Sequence, residues 1–268
     1  FCAEGSRWPK DGHYGGLNIL DLRDKTQPRQ AGIFYLDLAA EDIAVSGAYA
    51  YVANGSNGLQ VFDITQPENP QRLGACATGS FAGGVAITGD YAYVAARSNG
   101  LQVVDVSNPA NPQLVGRYEG SQNAYRVAVS GDYAYLADGT NGLQVLNISE
   151  RDNPKLVSHY MEKPLQPFYA VAVSDHYACS AGLKVLDIYN PTDPKMIGGY
   201  TNSFLSTSVC ISGSYVYLVT KGFLRMFELS PTNNPRFVAR VARRDWQWDS
   251  GFIPGCVVVS GKYAYLAD

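Results

Sequence analysis

The chain has 268 residues, a formal net charge of −3, 17% charged and 12% aromatic residues, with 19 Tyr. It is too apolar and too weakly charged for disorder, and its slight negative charge favours neither a nucleic-acid partner nor an anionic membrane. No stretch approaches the roughly 18 uninterrupted apolar residues of a spanning helix, so direct membrane insertion is not expected.

Read from its start, the chain opens FCAEGS, without Met and without a signal-peptide pattern, as a processed or trimmed chain would. A strand-like run, GLNILDL from Gly16, follows, and then a second kind of run, IAVSGAYAYVA from Ile43. Both kinds recur. The first returns as GLQVFDI from Gly58, GLQVVDV from Gly100, GLQVLNI from Gly142, GLKVLDI from Gly182 and GFLRMFEL from Gly222, at spacings of 42, 42, 42, 40 and 40. The second returns from Val85, Val127, Val171, Val209 and Val257. Each kind therefore occurs six times.

One repeat shows the strands. VAVSG is a short buried strand, and Ser130-Gly131-Asp132 is a hairpin turn. YAYLA is the second strand, with Tyr133 and Tyr135 on one face and Ala134 and Leu136 on the other. DGTNG is a glycine-bent loop and LQVLNIS the third strand. RDNP turns the chain, with Pro154 fixing φ, and KLVSHY is the fourth strand. No window carries a convincing helical period. A period near 40–45 residues with four strands per repeat predicts an all-β, six-bladed β-propeller of four-stranded antiparallel blades. The repeats fall at about 43–84, 85–126, 127–170, 171–208, 209–256, and 257–268 with 16–42, forming a single domain over 1–268.

The recurrent GLQVVDVSNPANPQLVG resembles the LVIVD-repeat family of β-propellers, over nearly the whole chain from Gly16 to Asp268. The resemblance implies the fold and an extracellular or cell-surface location, with a periplasmic one as the variant. It says little about function, because propellers host binding, scaffolding and catalysis alike.

The chain starts with the second half of a repeat and stops with the first half. The last blade is expected to be closed by strands from both termini, with 263–267 pairing antiparallel with 17–22. Cys2 would then lie near Cys256, where a disulfide is possible; a seventh blade follows if the native chain continues beyond Asp268. Cys179 and Cys210 fall in apolar strands and read as small core residues. None of the five cysteines forms a C-x-x-C pair.

In a propeller, the fourth-to-first and second-to-third strand loops emerge on one face. The loops of the other face are uniform here, so Asp63, Asp105 and Asp187, with Asn147 and Glu228 in the same slot, read as strand-end scaffolding that accepts backbone N–H groups. The first set of loops diverges, and divergence on a rigid scaffold is where specificity sits. The residues before each first strand are Glu41-Asp42, Gly83-Gly84, Tyr125-Arg126, Tyr169-Ala170, Thr207-Ser208 and Gly255-Cys256. Neighbouring loops add Arg97, Asp138, His13, Tyr14, Phe81, Phe168, Phe204, Trp246, Trp248 and Phe252. The candidate binding residues are Glu41, Asp42, Phe81, Arg97, Tyr125, Arg126, Tyr169, Trp246 and Trp248. Two readings stay open: an aromatic rim that binds, or aromatics that pack the loops onto the strand ends. The insertion from Arg240 to Gly255 is the longest departure from the repeat.

Catalytic and metal signatures are missing. His13, His159 and His176 occupy non-equivalent positions, and no phosphate-loop, dinucleotide, nucleophile-elbow or calcium-loop motif stands in context. No catalytic residue, metal or cofactor is expected. The favoured expectation is a non-catalytic module that recognises a protein or carbohydrate partner, or belongs to a larger assembly as a structural subunit. The alternative is a channel-mouth hydrolase or lyase on a sugar or lactone, using Glu41 or Asp42 with Arg126. An enzyme should show a deep polar pocket with a carboxylate or metal at the channel mouth; a binding module should show a shallow aromatic-lined rim and no perturbed carboxylate.

Overall fold

The computed structural model describes residues 2–5, 15–21, 29–161, 167–174, 176–199, 206–220, 223–229, 234–242, 256–260 and 263–267. Among them every regular element is a strand, and every pairing is antiparallel. The residues group into two compact units, one of 1–126 with 150–154 and one of 127–149 with 155–268.

The first unit begins with β1 (Cys2–Gly5), β2 (Gly15–Asp21) and β3 (Arg29–Leu36), which make a three-stranded sheet in the order β1-β2-β3. Two four-stranded sheets follow. One holds β4 (Asp42–Ser46), β5 (Tyr49–Ala53), β6 (Leu59–Asp63) and β7 (Gln71–Cys76). The other holds β8 (Gly84–Thr88), β9 (Tyr91–Ala95), β10 (Leu101–Asp105) and β11 (Gln113–Tyr118).

The next sheet, β12 (Arg126–Ser130), β13 (Tyr133–Ala137), β14 (Leu143–Asn147) and β15 (Lys155–Tyr160), lies in the second unit except for Arg126 and the turn 150–154. That unit continues with β16 (Val171–Val173), β17 (Tyr177–Ser180), β18 (Lys184–Asp187) and β19 (Lys195–Gly199). It then forms β20 (Ser206–Ser212), β21 (Tyr215–Thr220), β22 (Phe223–Glu228) and β23 (Arg236–Ala242). A two-stranded sheet, β24 (Cys256–Ser260) with β25 (Tyr263–Ala267), ends it. This is the repeating antiparallel architecture expected of a six-bladed propeller.

One expected pairing differs. Strand 263–267 does not pair with 17–22; β2 takes β1 on that edge, in the register Cys2↔Asn18 to Gly5↔Gly15, and β25 pairs with β24. The short connection from Gly5 to Gly15 closes at lower entropic cost than a partner near the other end of the chain. The side chains of Cys2 and Cys256 lie outside the described residues. Cys76 and Cys179 are buried free thiols.

Alternation along the inner strands puts both of their faces into cores. In the first unit Phe62 joins Leu17, Ile19, Ala50 and Val52 in one cluster, while Val61 joins Tyr51, Leu59, Val85 and Val94 in the next. The second unit repeats the arrangement around Tyr135, Val145, Phe168 and Leu186, and around Val185, Val216, Leu218 and Phe227. The SG-type hairpins are tight because Gly47, Gly89, Gly131 and Gly213 hold φ of +57°, +54°, +56° and +57°.

Two further regularities position the outer strand. A bulge falls at the same place in each third-to-fourth strand pair, as at Val61/Phe62, Val103/Val104 and Val145/Leu146. It twists an otherwise open edge away from further pairing. The fourth strand also carries a small-residue slot at Gly32, Gly74, Gly116, Ser158 and Gly198. A Cβ on Gly32 would lie 2.0 Å from the Pro67 carbonyl oxygen, and one on Gly116 2.0 Å from that of Arg151. Ser158 fills the slot with a hydroxyl that donates to the Pro191 carbonyl at 2.7 Å. The slot is thus where a following Pro turn docks.

Candidate functional site

Register fixes the two ends of each sheet. Asp42 faces Ala53, which faces Leu59, which faces Cys76; the opposite end holds Ser46, Tyr49, Asp63 and Gln71. At the opposite end the strand-end residues make local hydrogen bonds, as expected. The Asp63, Asp105, Asn147 and Asp187 side chains accept N–H groups from Thr65, Ser107, Ser149 and Tyr189 at 2.8–2.9 Å. Hydrogen bonding from Thr65 and Ser107 holds Asp63 and Asp105 below the usual carboxylate range. Glu228 pairs with Arg236 instead.

At the divergent end, the first unit brings six of the candidate residues together: Glu41, Asp42, Phe81, Arg97, Tyr125 and Arg126. Arg126 is the organising side chain. It donates to the Glu41 carbonyl at 2.9 Å, to the Gly83 carbonyl, and to its neighbour Tyr125 at 3.2 Å. Its Nε lies 3.9 Å from Asp42 Oδ2, with both side chains about a quarter exposed or less (25% and 21%). Close approach is possible because Gly84 has no side chain; a Cβ there would lie 2.8 Å from the Arg126 Cα.

Asp42 is held just as firmly. Its Oδ1 accepts the Ile43 N–H and its Oδ2 the Val85 N–H, each at 3.0 Å. Burial raises its pKa above the ordinary value, against the opposing pull of Arg126 and the two N–H groups. A perturbed carboxylate is therefore present, contrary to the expectation for a binding module; its cause is burial between β4 and β8, where both of its oxygens are engaged by backbone N–H groups. Asp42 and Arg126 together tie the chain before β4 to the starts of β8 and β12.

Arg97 is used differently. Its guanidinium carbon sits 3.7 Å from the Tyr125 ring centroid and 5.6 Å from that of Phe81. Its backbone exchanges two 3.1 Å hydrogen bonds with Ala124, just as Gly55 bridges Ala82 in the preceding repeat. Phe81, 38% exposed, lies directly over Gly55. Burial under the two rings lowers the Arg97 pKa below the usual arginine value; the group stays charged at neutral pH.

The backbone of Arg97 is strained. Gly55, Arg97 and Gly139 are equivalent, and their φ values are +56°, +41° and +56°. A side chain in this left-handed region costs roughly 1–2 kcal/mol. Arg97→Gly should consequently be more stable than Arg97→Ala by about 1 kcal/mol, although alanine is ordinarily the better residue in a fold. Urea denaturation of both variants measures it; the opposite order would contradict the strain.

The second unit places the other candidates. Tyr169 is 49% exposed, while its neighbour Phe168 is buried and bridges Gly139 through two backbone hydrogen bonds. Asp138 is also buried, accepting Asn141 at 3.0 Å and Gln144 at 2.6 Å, and so shapes its own loop. His159 lies on the outer strand β15, and His176 stands in a turn beside Tyr177 and Tyr189. Of the Arg240–Gly255 insertion, Arg240 to Ala242 continue β23, with Arg240 over the Phe223 ring at 5.0 Å. Trp246 and Trp248 lie outside the described residues, as do His13, Tyr14, Phe204 and Phe252. Among the described residues no group of three His, Cys, Asp or Glu could hold a metal ion.

Sequence reasoning does not single out Lys184. The slot holds Gln60, Gln102 and Gln144 in earlier repeats, so the break in the pattern is the signal. Its Nζ lies 5.3 Å from the Phe168 ring centroid, and burial lowers its pKa to about 8. The charged form is penalised in the fold, fully so below pH 8, and the penalty fades as pH rises toward the ordinary value of 10.5. Lys184→Gln removes that slope. The wild type should gain stability relative to the variant between pH 8 and 10.5, read as the difference in urea midpoints; parallel pH profiles would contradict it.

Comparisons with known proteins agree with this fold. A Desulfotomaculum acetoxidans protein described as functionally unknown is similar at 16% identity, over 80% of this chain and 73% of that one, with a TM-score of 0.68. The Cps50 (Swd1) β-propeller domain of Myceliophteria thermophila is similar at 11% identity, over 96% and 88%, with a TM-score of 0.69. A chain of a mitotic checkpoint complex is similar at 12% identity, over 94% and 80%, with a TM-score of 0.72. At such identities the likeness concerns the fold alone. A search of curated proteins returns no match. The LVIVD repeat matches residues 39–78, 79–120, 121–162, 169–202 and 255–268, so the chain belongs to the LVIVD-repeat family.

Proposed function

We propose that this protein is a non-catalytic interaction module whose irregular loop face recognises a protein partner through Phe81, Arg97 and Tyr125. The observation that carries the proposal is Arg97, a strained arginine in a slot that holds glycine in the flanking repeats. A fold retains such strain where the side chain has a task that glycine cannot perform. The stacked rings beside it form the shallow aromatic rim of a binding surface. Asp42 and Arg126 supply its rigid base. The engagement of Asp42 by two backbone N–H groups weighs against the hydrolase or lyase alternative.

That a similar propeller chain belongs to a mitotic checkpoint complex supports a protein as the partner class. An extracellular or cell-surface location is part of the proposal on the resemblance of the repeats, and fractionation of the native source tests it.

The recognition surface is tested by affinity capture from the native source with three forms of the full chain. The wild type should retain a specific partner, and a Phe81→Ala, Arg97→Gly, Tyr125→Ala variant should lose it. Ala110→Arg, on the exposed turn of the opposite end, should keep it. Loss with Ala110→Arg, or retention by the triple variant, would contradict the proposal.

A further inference from the structure

We infer that Arg97 is a carboxylate receptor, taking an acidic side chain or a chain end of the partner in the plane of its stacked guanidinium. The inference rests on the loop face being the recognition surface and assigns the chemistry of what it recognises.

The two arginines of the site are in opposite states. Arg126 has its donors committed to the Glu41, Gly83 and Tyr125 carbonyls and its charge set against Asp42. Arg97 has neither. Among the described residues its guanidinium makes no hydrogen bond and no ion pair; its side-chain partners are the Tyr125 and Phe81 rings. Glu41 and Arg126 act on it only through longer-range charge, with opposite signs.

Stacking determines what remains available. The Tyr125 ring lies against the guanidinium at 3.7 Å, with Phe81 further off at 5.6 Å, and the N–H groups of a guanidinium lie in its plane, directed to its edge. A stacked guanidinium has already lost much of its side-chain freedom, so less is lost when a ligand binds. The planar fork matches the two oxygens of a carboxylate. Gly83 makes room for the arrangement, since a Cβ there would lie 3.6 Å from the Arg97 Nε and 2.9 Å from the Tyr125 carbonyl oxygen. Partial burial leaves the positive charge poorly solvated, and a carboxylate is the partner that relieves this while satisfying two donors at once.

The strained backbone fits the same account. Glycine would relax the turn, yet the loop carries arginine, and lysine could supply charge but neither the stack nor the fork. Arg126 is less available to an acidic partner, because it already donates to three carbonyls and faces Asp42.

The test follows the side-chain Nε–Hε signal of Arg97 by NMR in the full chain. The signal is assigned by its loss in Arg97→Lys. Three blocked peptides serve as probes: acetyl-Gly-Glu-Gly-amide, its Gln counterpart, and acetyl-Gly-Gly-Gly with a free carboxylate. The Glu peptide or the free-carboxylate peptide should give a saturable shift that weakens with salt, and the stronger of the two identifies the source as side chain or chain end. The Gln peptide should bind at least tenfold more weakly than the stronger carboxylate peptide; in Arg97→Lys, which lacks the Nε–Hε signal, binding is read from the backbone amide shifts of residues 81–84 and 124–126 and should be at least tenfold weaker, with an unchanged backbone spectrum before peptide is added. A Gln-peptide shift equal to that of the stronger carboxylate peptide, no shift from either carboxylate, or full binding by Arg97→Lys would overturn the inference. Should partner capture depend on Phe81, Arg97 and Tyr125 while the carboxylates give no shift, the loop face stands and the carboxylate receptor falls.

Discussion

Gly116→Ala is expected to destabilise the protein by about 3 kcal/mol, lowering the melting temperature by roughly 10 °C, which differential scanning calorimetry measures. The added Cβ would lie 2.0 Å from the Arg151 carbonyl oxygen and 2.8 Å from the Asp152 Cα. Both obstacles are backbone, so no rotamer change can clear them. Strand β11 or the 150–154 turn must move, and each is fixed, the one by its pairing with β10 and the other by Pro154. The slot does not reject a side chain everywhere. At position 158 a side chain is accommodated, and its hydroxyl donates to the Pro191 carbonyl at 2.7 Å. Ser158→Gly should therefore cost only about 1 kcal/mol, from one hydrogen bond and added chain entropy. Similar losses at the two positions would show that the slot is not a docking contact.

Arg126→Met should cost about 2–3 kcal/mol, although it replaces a partly exposed residue with one of similar length. The Glu41 and Gly83 carbonyls lose a charged donor, and Asp42 loses the cation that offsets its burial. Partial exposure lets water replace some of the loss, which keeps the figure below that of a fully buried pair. The pH dependence carries the mechanism. The raised pKa of Asp42 means that its protonated form is favoured by the fold; the stability it contributes is present below the ordinary carboxylate value and is lost as pH rises through the folded pKa. Without Arg126 the folded pKa rises further, so the stability deficit of Arg126→Met should be smallest in acid and grow toward neutral pH. Urea midpoints from pH 4 to pH 7 measure this, and a deficit independent of pH would remove the ion pair from the account. Arg126→Lys should recover the charge but only part of the stability, since one ammonium cannot reach three carbonyls.

These two residues mark what is legible in a repeat. The apolar runs and the SG hairpins recur because each blade needs the same inner strands, so the fold can be read from any one of them. The strand-end aspartates could be assigned to scaffolding for the same reason, and the structure gives Asp63, Asp105 and Asp187 local hydrogen bonds. What depends on a neighbouring repeat is harder to read. Arg126 acts on Glu41 and Gly83, which lie 85 and 43 residues away in sequence, so its role as a latch has no local signature. The partner of β2 is not legible either, because strand sequence does not specify which edge pairs first. Phe168 and Tyr169 are adjacent and both aromatic, yet one is core and the other half-exposed, a difference set by the bridge to Gly139. The break in symmetry is legible at Arg97; the left-handed backbone beneath it, shared with Gly55 and Gly139, is not, because arginine gives no local sign of a positive φ.

The account rests on Arg97 being kept for recognition. Its most direct test is the affinity of the captured partner for the wild type against Arg97→Gly, measured by titration calorimetry. The account predicts binding weakened at least tenfold in a variant whose fold is intact, because glycine suits that backbone. Unchanged affinity would contradict it and leave Arg97 a packing residue of the loop.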